Sequence, residues 1–362
     1  MTSDLTDYAS ISKNGSILIG KNTVVDGFDY DRDVGVFTHI HTDHMKHFNT
    51  ALHECSIIYV SKPTLDLIAA YDDSYDLNTS SAAFFESRHI RAIDWDVPQV
   101  PFRDSRRLNN EQIYSDKITI YRSHHILGSS QVLVVTDDQK RVVYSSDFAY
   151  PKTSAINCDV LVLDSTHGDP MFNAPVDGPS LENRLVECVK EEIKNGRPIS
   201  IRAHVGRLQY TMHILSEHLG SNIRFLANHK NIRLSAVYQR YNMPIRELVD
   251  SDSLRADQIT AGDFPFIEFK TMPEAKSDSE LERSAVFQLG GQIMGPRTTI
   301  RQNENGSYSI EFGDHSTYDG ILDYVRKSSP KLVITDSKRS SWGSRLAEHI
   351  KEKLDIDAIT NP

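Results

Sequence analysis

Short apolar runs rich in β-branched residues mark the first part of the chain, and helical periodicities become common further on. Residues 16–25 alternate as a hairpin that turns at Gly20-Lys21-Asn22, with Asp26-Gly27 closing it. Val34-Gly35-Val36-Phe37 is a short buried strand, and residues 56–60 form another. Lys62-Pro63 then opens a helical pattern through Leu65, Leu67, Ile68 and Tyr71. Residues 72–117 are polar and irregular. Three strands follow in close succession, at 118–121, 132–135 and 142–144, and a fourth lies at 160–163. Strands interleaved with helices indicate an α/β layered fold.

The texture changes after Gly168-Asp169-Pro170. Residues 173–178 read as a turn-rich linker and 181–194 as an amphipathic helix. Strand, helix, strand, helix follow at 198–201, 208–219, 223–226 and 232–241, a small α/β unit with its own parallel sheet. Residues 250–280 are polar with turn signals, 285–289 form a strand, and Gly290-Gly291 and Gly295-Pro296 break the pattern. A strand at 331–334 and a helix through Leu346 and Ile350 read as a return to the first domain.

At 362 residues the chain holds one large domain or two ordinary ones. No apolar run approaches the roughly 20 residues that span a bilayer, and residues 1–7 lack the basic and apolar regions of a secretory signal. The three cysteines are far apart and odd in number, which fits neither a disulfide framework nor a cysteine zinc site. A cytoplasmic protein without a membrane partner is expected. The net charge of −10 argues against coating nucleic acid by bulk charge. It does not exclude a local basic groove: Arg88, His89, Arg91, Arg103, Arg106 and Arg107 form one basic cluster, which reads as a solvated loop face or as a contact for a substrate backbone.

The chemistry concentrates after the 34–37 strand, where His39, His41, Asp43 and His44 fall within six positions. Imidazole and carboxylate together suit Zn²⁺ or a similar divalent ion. In extended backbone His39 and His41 point the same way and can share one ion. Further candidates end strands: His124-His125 before Gly128-Ser129, Asp147, Asp164, and Asp336. Asp336 is either a ligand for a harder ion or a capping residue. His204-Val205-Gly206-Arg207 sits at a strand-to-helix junction, where amides and an arginine suit a phosphate and plain capping is the alternative.

His39-Ile-His41-Thr-Asp43-His44 resembles the His-x-His-x-Asp-His motif of metallo-β-lactamase fold hydrolases. His125-Ile-Leu-Gly128-Ser129 resembles their His-x-x-Gly-Ser motif, and Asp147 their metal-bridging aspartate, although Ser146 stands where glycine is usual. Asp164-Ser165-Thr166-His167-Gly168 resembles the first motif of the β-CASP branch, the nucleic-acid-processing members, with His167 in place of tyrosine. Aspartate at 164 leans towards Artemis-like DNA-processing members, since RNase J-like members usually carry glutamate. His315, with Asp319 four on, resembles the second branch motif. At the third, Asp336 stands where RNA-processing members have histidine. Gly206-Arg207-Leu-Gln209 is similar to a Gly-Arg-x-Gln of the family.

The resemblance implies a four-layer αββα core from residues 1–167 and 300–362, with an inserted α/β β-CASP domain at 168–299. It implies a first ion on His39, His41, His125 and Asp147, and a second on Asp43, His44, Asp147 and Asp336. Zn²⁺ is expected at one or both, with Mn²⁺ or Mg²⁺ conceivable at the second. Asp43, Asp164 and His315 are the expected catalytic residues, His315 being oriented by Asp164 to protonate the leaving oxygen. Ser129, Ser165, Thr166 and Arg207 are the expected substrate contacts. The expected function is a metal-dependent 5′→3′ exonuclease on single-stranded DNA that leaves 5′-phosphates, with DNA favoured over RNA as partner. The alternatives are an RNA exonuclease or endonuclease of the same fold and a catalytically silent scaffold. A small-molecule hydrolase fits poorly with the insertion and the Asp164/His315 pair.

Overall fold

The computed structural model describes residues 5–71, 89–101, 116–173, 178–262, 265–272, 283–290, 300–310 and 313–361. Of the basic cluster, Arg88, Arg103, Arg106 and Arg107 lie outside these residues, as do Gly291, Gly295 and Pro296. The protein is mixed α/β, with three sheets and, among the described residues, eight α-helices. None of these helices is long and apolar enough to cross a membrane. Cys55, Cys158 and Cys188 are free thiols.

The chain divides into two compact units. The first begins with β1 (Ala9–Ile11), β2 (Ile17–Ile19), β3 (Thr23–Val25), β4 (Val34–Phe37), α1 (Phe48–Glu54), β5 (Ile57–Ser61) and α2 (Lys62–Tyr71), whose last two residues are counted with the second unit. It continues with β6 (Ile90–Ile93), β7 (Lys117–Arg122), β8 (Ser130–Val135), β9 (Arg141–Tyr144) and β10 (Val160–Leu163). The second unit holds α3 (Gly178–Lys194), β11 (Ile199–Ala203), α4 (Arg207–His218), β12 (Arg224–Ala227), α5 (His229–Arg240), β13 (Leu248–Asp250), α6 (Leu254–Ala261) and β14 (Phe266–Thr271). It closes with β15 (Ala285–Leu289), β16 (Arg301–Gln302) and β17 (Tyr308–Ile310). The chain rejoins the first unit at Asp314 with α7 (Tyr318–Ser328), β18 (Leu332–Asp336), α8 (Gly343–Leu354) and β19 (Asp357–Asn361).

The first unit is built on two six-stranded sheets, ordered β1-β2-β3-β4-β5-β6 and β19-β18-β10-β9-β8-β7. Both repeat one pairing scheme, two antiparallel pairs followed by three parallel ones. Alternation of side chains explains the layering. Val160 and Val162 face inward with Ile120, Val134 and Ile334, and meet Ile19, Val25, Val36 and Tyr59 of the other sheet. Leu161 and Leu163 face outward, where Ile321 and Val325 of α7 and Leu346 and Ile350 of α8 cover them. On the far side Phe37 of β4 meets Phe48 of α1 edge to face, ring centroids 4.9 Å apart. Among the described residues, α1 thus packs on the first sheet, and α7 and α8 on the second.

The second unit has the expected parallel sheet, in the order β13-β12-β14-β11-β15-β17-β16, with only the β16–β17 pair antiparallel. Residues 250–280, polar and turn-rich by pattern, contribute α6 and β14. Phe266–Thr271 buries Ile267 and Phe269 while Glu268 and Lys270 pair at 3.1 Å, so half its side chains are polar. Residues 301–310 extend this sheet rather than return to the first unit, because Phe287 and Tyr308 are in register and their rings stack at 4.5 Å.

The end of α4 shows how polar chemistry holds the second unit. A helix leaves its last carbonyls without partners. Arg246 donates to Ser216 O at 2.9 Å, Leu219 O at 2.8 Å, Gly220 O at 2.8 Å and Ile223 O at 3.1 Å, with its guanidinium 4.6 Å from the Phe225 ring. We expect Arg246→Met to destabilise the protein by about 2 kcal/mol, and Arg246→Lys to recover only part of that because ammonium lacks the planar fork. Chemical denaturation of the three proteins checks this.

Candidate metal centre

Strand ends deliver the site. β4 ends at Phe37, and Thr38-His39 follows at the carboxyl edge of the sheet. His39 and His44 are fully buried, whereas the Asp43 side chain is exposed. His39 Nε2 lies 3.2 Å from His41 Nδ1, which lies 3.0 Å from His125 Nε2. Asp147 Oδ2 is 3.6 Å from His39 Nε2 and 3.5 Å from His125 Nε2. These ligand atoms lie within 4.8 Å of one another, and the group could hold a metal ion. Its other oxygen, Oδ1, is 3.3 Å from His44 Nε2, which is 3.4 Å from Asp43 Oδ2. The structure thus places His39, His41 and His125 on one side of Asp147, and His44 and Asp43 on the other.

The outer nitrogens decide the tautomers. His39 Nδ1 donates to Thr38 Oγ1 at 3.0 Å, His44 Nδ1 to Asp26 Oδ2 at 2.7 Å and His125 Nδ1 to the Asp314 carbonyl at 3.0 Å. Each ring then turns a lone pair inward, as a ligand histidine does. Tetrahedral zinc with bonds of about 2.0–2.1 Å separates its ligand nitrogens by about 3.3 Å, close to the spacings seen. His44 Nε2 is buried without a hydrogen-bond partner. The residues fit a divalent ion.

Asp26 and Thr38 tie the two sides together. Asp26 accepts from Thr38 N at 2.8 Å and Thr38 Oγ1 at 2.7 Å, as well as from His44. Thr38 Oγ1 also accepts from Ser146 Oγ at 2.8 Å. Ser146 has φ 52°, a left-handed conformation that glycine adopts more readily, and its hydroxyl bond accompanies the exception. Neither Asp26 nor Thr38 was a sequence candidate. The available signal was Asp26 itself, a strand-terminal aspartate like Asp147 and Asp164.

His125 rides on a turn made by Gly128, φ 87°, where a Cβ would meet Thr64 Oγ1 at 2.4 Å. Ser61 and Thr64 hydroxyls donate to Gly128 O at 2.7 and 3.0 Å. Ser129 is buried, and its hydroxyl accepts from the His125 and Ile126 amides, both at 3.1 Å. Ser165 is buried too, with its hydroxyl on the Asp336 carbonyl. Thr166 donates through N and Oγ1 to Asp164 Oδ1, at 2.8 and 2.7 Å. Three of the four expected substrate contacts, Ser129, Ser165 and Thr166, thus have hydroxyls bonded within the first unit. Asp336 is not in the metal-capable group either. Its Oδ2 is paired with Arg339 at 2.8 Å, and its Oδ1 caps the Lys338 and Arg339 amides. Arg207 belongs to the second unit, buried in the first turn of α4 behind Gly206.

His315 joins the group from the returning chain. Its Nδ1 is 3.1 Å from Asp164 Oδ2 and its Nε2 3.9 Å from Asp147 Oδ2. Burial lowers the His315 pKa, but Asp147 and Asp164 outweigh it and raise the value to about 10. Burial and the neighbouring imidazoles hold His39 well below its ordinary value. Burial would depress His44 also, yet Asp147 and Asp26 raise it well above. Asp147 is held well below the usual carboxylate range, its burial offset first by His44 and then by His315.

No family model matches the chain. An uncharacterized protein in the lig 3′ region of Acidianus ambivalens is 28% identical over 133 residues, 36% of this chain and 93% of that protein. A probable DNA ligase of Opitutus terrae is 21% identical over 256 residues, 67% of this chain and 23% of the ligase. Transcription termination factor FttA of a Lokiarchaeum species is 30% identical over 115 residues, 29% of this chain and 18% of the factor. The chain thus spans less than a quarter of the ligase and of the termination factor. A protein of unknown function from Enterococcus faecalis has the same general fold, with a TM-score of 0.53 at 14% identity over 85% of this chain and 76% of that one.

Thr38→Val removes the acceptor for His39 Nδ1 while nearly conserving shape. We expect zinc affinity to fall about 10- to 100-fold, read by competition with a fluorescent chelator. In the metal-free protein Asp164→Asn should move the His315 pKa down from about 10 towards 6.5, followed by NMR of the ring protons. Because the folded value is raised, the stabilisation lost in Asp164→Asn is full below pH 6.5 and vanishes as pH rises through about 10.

Proposed function

We propose that the protein is a metal-dependent nuclease of the metallo-β-lactamase fold, with residues 174–313 as its β-CASP insertion. The observation that carries this reading is the convergence of His39, His41, His125 and Asp147, with the outer nitrogens of His39 and His125 already bonded. A divalent ion there, zinc by the donor set, supplies Lewis acidity to a phosphoryl oxygen and a nucleophile from water near neutral pH. His44 and Asp43 offer a second position that shares Asp147. Asp336 is left out of the ligand set, since Arg339 holds it.

In this reading the remaining chemistry is proton transfer. His315 carries its proton on the side of the cluster, and Asp164 behind it favours the charged form. Nε2 gives that proton to the departing 3′ oxygen, and the product keeps a 5′-phosphate. Single-stranded DNA degraded 5′→3′ is the proposed substrate and direction. Aspartate at 164 and the relative named as a DNA ligase support DNA. The relative named as a transcription termination factor supports RNA as the second reading. Arg207 at the α4 start is the proposed phosphate contact of the second unit.

Digestion of end-labelled single- and double-stranded DNA and of RNA, with Zn²⁺, Mn²⁺ or Mg²⁺, tests the proposal. We expect His39→Ala to abolish cleavage, and His315→Ala to lower kcat about 10²- to 10⁴-fold with KM little changed. Cleavage by His39→Ala equal to that of the wild type overturns the reading.

A further inference from the structure

The loop that carries His125 also presents a strip in which two cations flank an exposed histidine. Arg122 ends β7, and its guanidinium lies 4.3 Å from the Trp95 ring centroid. Trp95 is itself anchored, its Nε1 donating to Ser130 Oγ at 3.1 Å. Next comes His124, exposed and in a left-handed conformation at φ 52°, directly before the buried ligand His125. Lys152 comes from a segment fastened to the same loop. Ala149 N donates to Ser123 O at 3.0 Å, and the Thr153 hydroxyl donates to that same carbonyl. Arg122 and Lys152 are close enough for their charges to bear on the His124 ring. Arg122, His124 and Lys152 are all exposed.

These positions stand out against a net charge of −10. Exposed like charges repel and are kept together at a cost, unless a partner of opposite charge meets them. Trp95 holds the Arg122 head, so part of the entropy of ordering it is already spent. The strip begins one residue from a ligand of the cluster, about 3.8 Å along the backbone. A polyanion with regularly spaced charges and a reacting phosphate in the cluster would lay its neighbouring phosphates there.

We propose that Arg122, His124 and Lys152 bind the phosphodiester backbone of single-stranded DNA beside the metal centre. This rests on the nuclease reading above and adds the path of the strand. Neutralising two phosphate contacts lowers the dependence of log K on log salt by about 1.4 for a single strand.

The test is binding of a fluorescent single-stranded DNA carrying phosphorothioate linkages, titrated over a range of salt, by the wild type and by Arg122→Ala/Lys152→Ala. Zinc content and thermal midpoint confirm that the variant is folded and loaded. We expect affinity to fall about tenfold or more at low salt, with a shallower salt slope. Equal affinity and slope in the two proteins overturn the strip, as does a loss confined to an RNA strand of the same sequence. Wild-type protein that binds DNA through these residues but cleaves none overturns the nuclease reading and leaves the strip standing. Cleavage with unchanged binding by the variant does the reverse.

Discussion

The Asp147 carboxylate sits among imidazoles where the two sheets end, and a carboxylate removed from water is costly unless opposite charge meets it there. His44 and His315 meet it in the protein alone, and a cation among His39, His41 and His125 would meet it better. The surrounding bonds follow from that demand. Four of the rings, His39, His44, His125 and His315, keep a lone pair or proton on the Asp147 side, and the other nitrogen of each has a fixed acceptor: Thr38, Asp26, the Asp314 carbonyl and Asp164. Asp26 and Thr38 join the supports of His39 and His44, one from each side of Asp147, in a single network.

The legibility of the site in the sequence tracked its locality. His39, His41, Asp43 and His44 crowd one strand exit, and their chemistry was readable without any knowledge of the rest of the chain. Asp164 and His315 became readable through the resemblance, and the structure brings them within hydrogen-bond reach. Asp26 and Thr38 were not readable, because what distinguishes them is a bond across loops rather than a pattern along one. Ser129 and Ser165 stand beside motif residues in the sequence, which does not reveal that both are buried. For Asp336 the pattern leaves a ligand and a cap open, and in the structure it pairs with Arg339 three positions on and caps the Lys338 and Arg339 amides. In the fold, β14 escaped notice because Glu268 and Lys270 dilute its alternation, and residues 301–310 because two short strands carry little signal of which sheet they join.

The two sheets of the first unit share a pairing order that no repeat in the sequence announces. In both, parallel strands send their carboxyl ends to the same edge. β3 delivers Asp26, β4 His39, β9 Asp147 and β10 Asp164, and bonds such as Ser146 to Thr38 and Asp164 N to Ser145 Oγ stitch these exits together. Loops at the carboxyl edge of parallel strands are where side chains from distant segments converge. Packing the sheets through Val36, Tyr144 and Val162 therefore positions the ligands as well as the core.

Asn173, where the chain departs, accepts a bond at 2.9 Å from the amide of Asp319, just after it comes back. The excursion of residues 174–313 thus starts and finishes at one gate. Every residue of the cluster belongs to the body it leaves, yet His125 is oriented by the Asp314 carbonyl, the first residue after re-entry. Both histidine-bearing loops precede the excursion in the sequence, whereas the carbonyl that holds His125 follows it. The bond that orients this ring therefore spans 189 positions of the sequence.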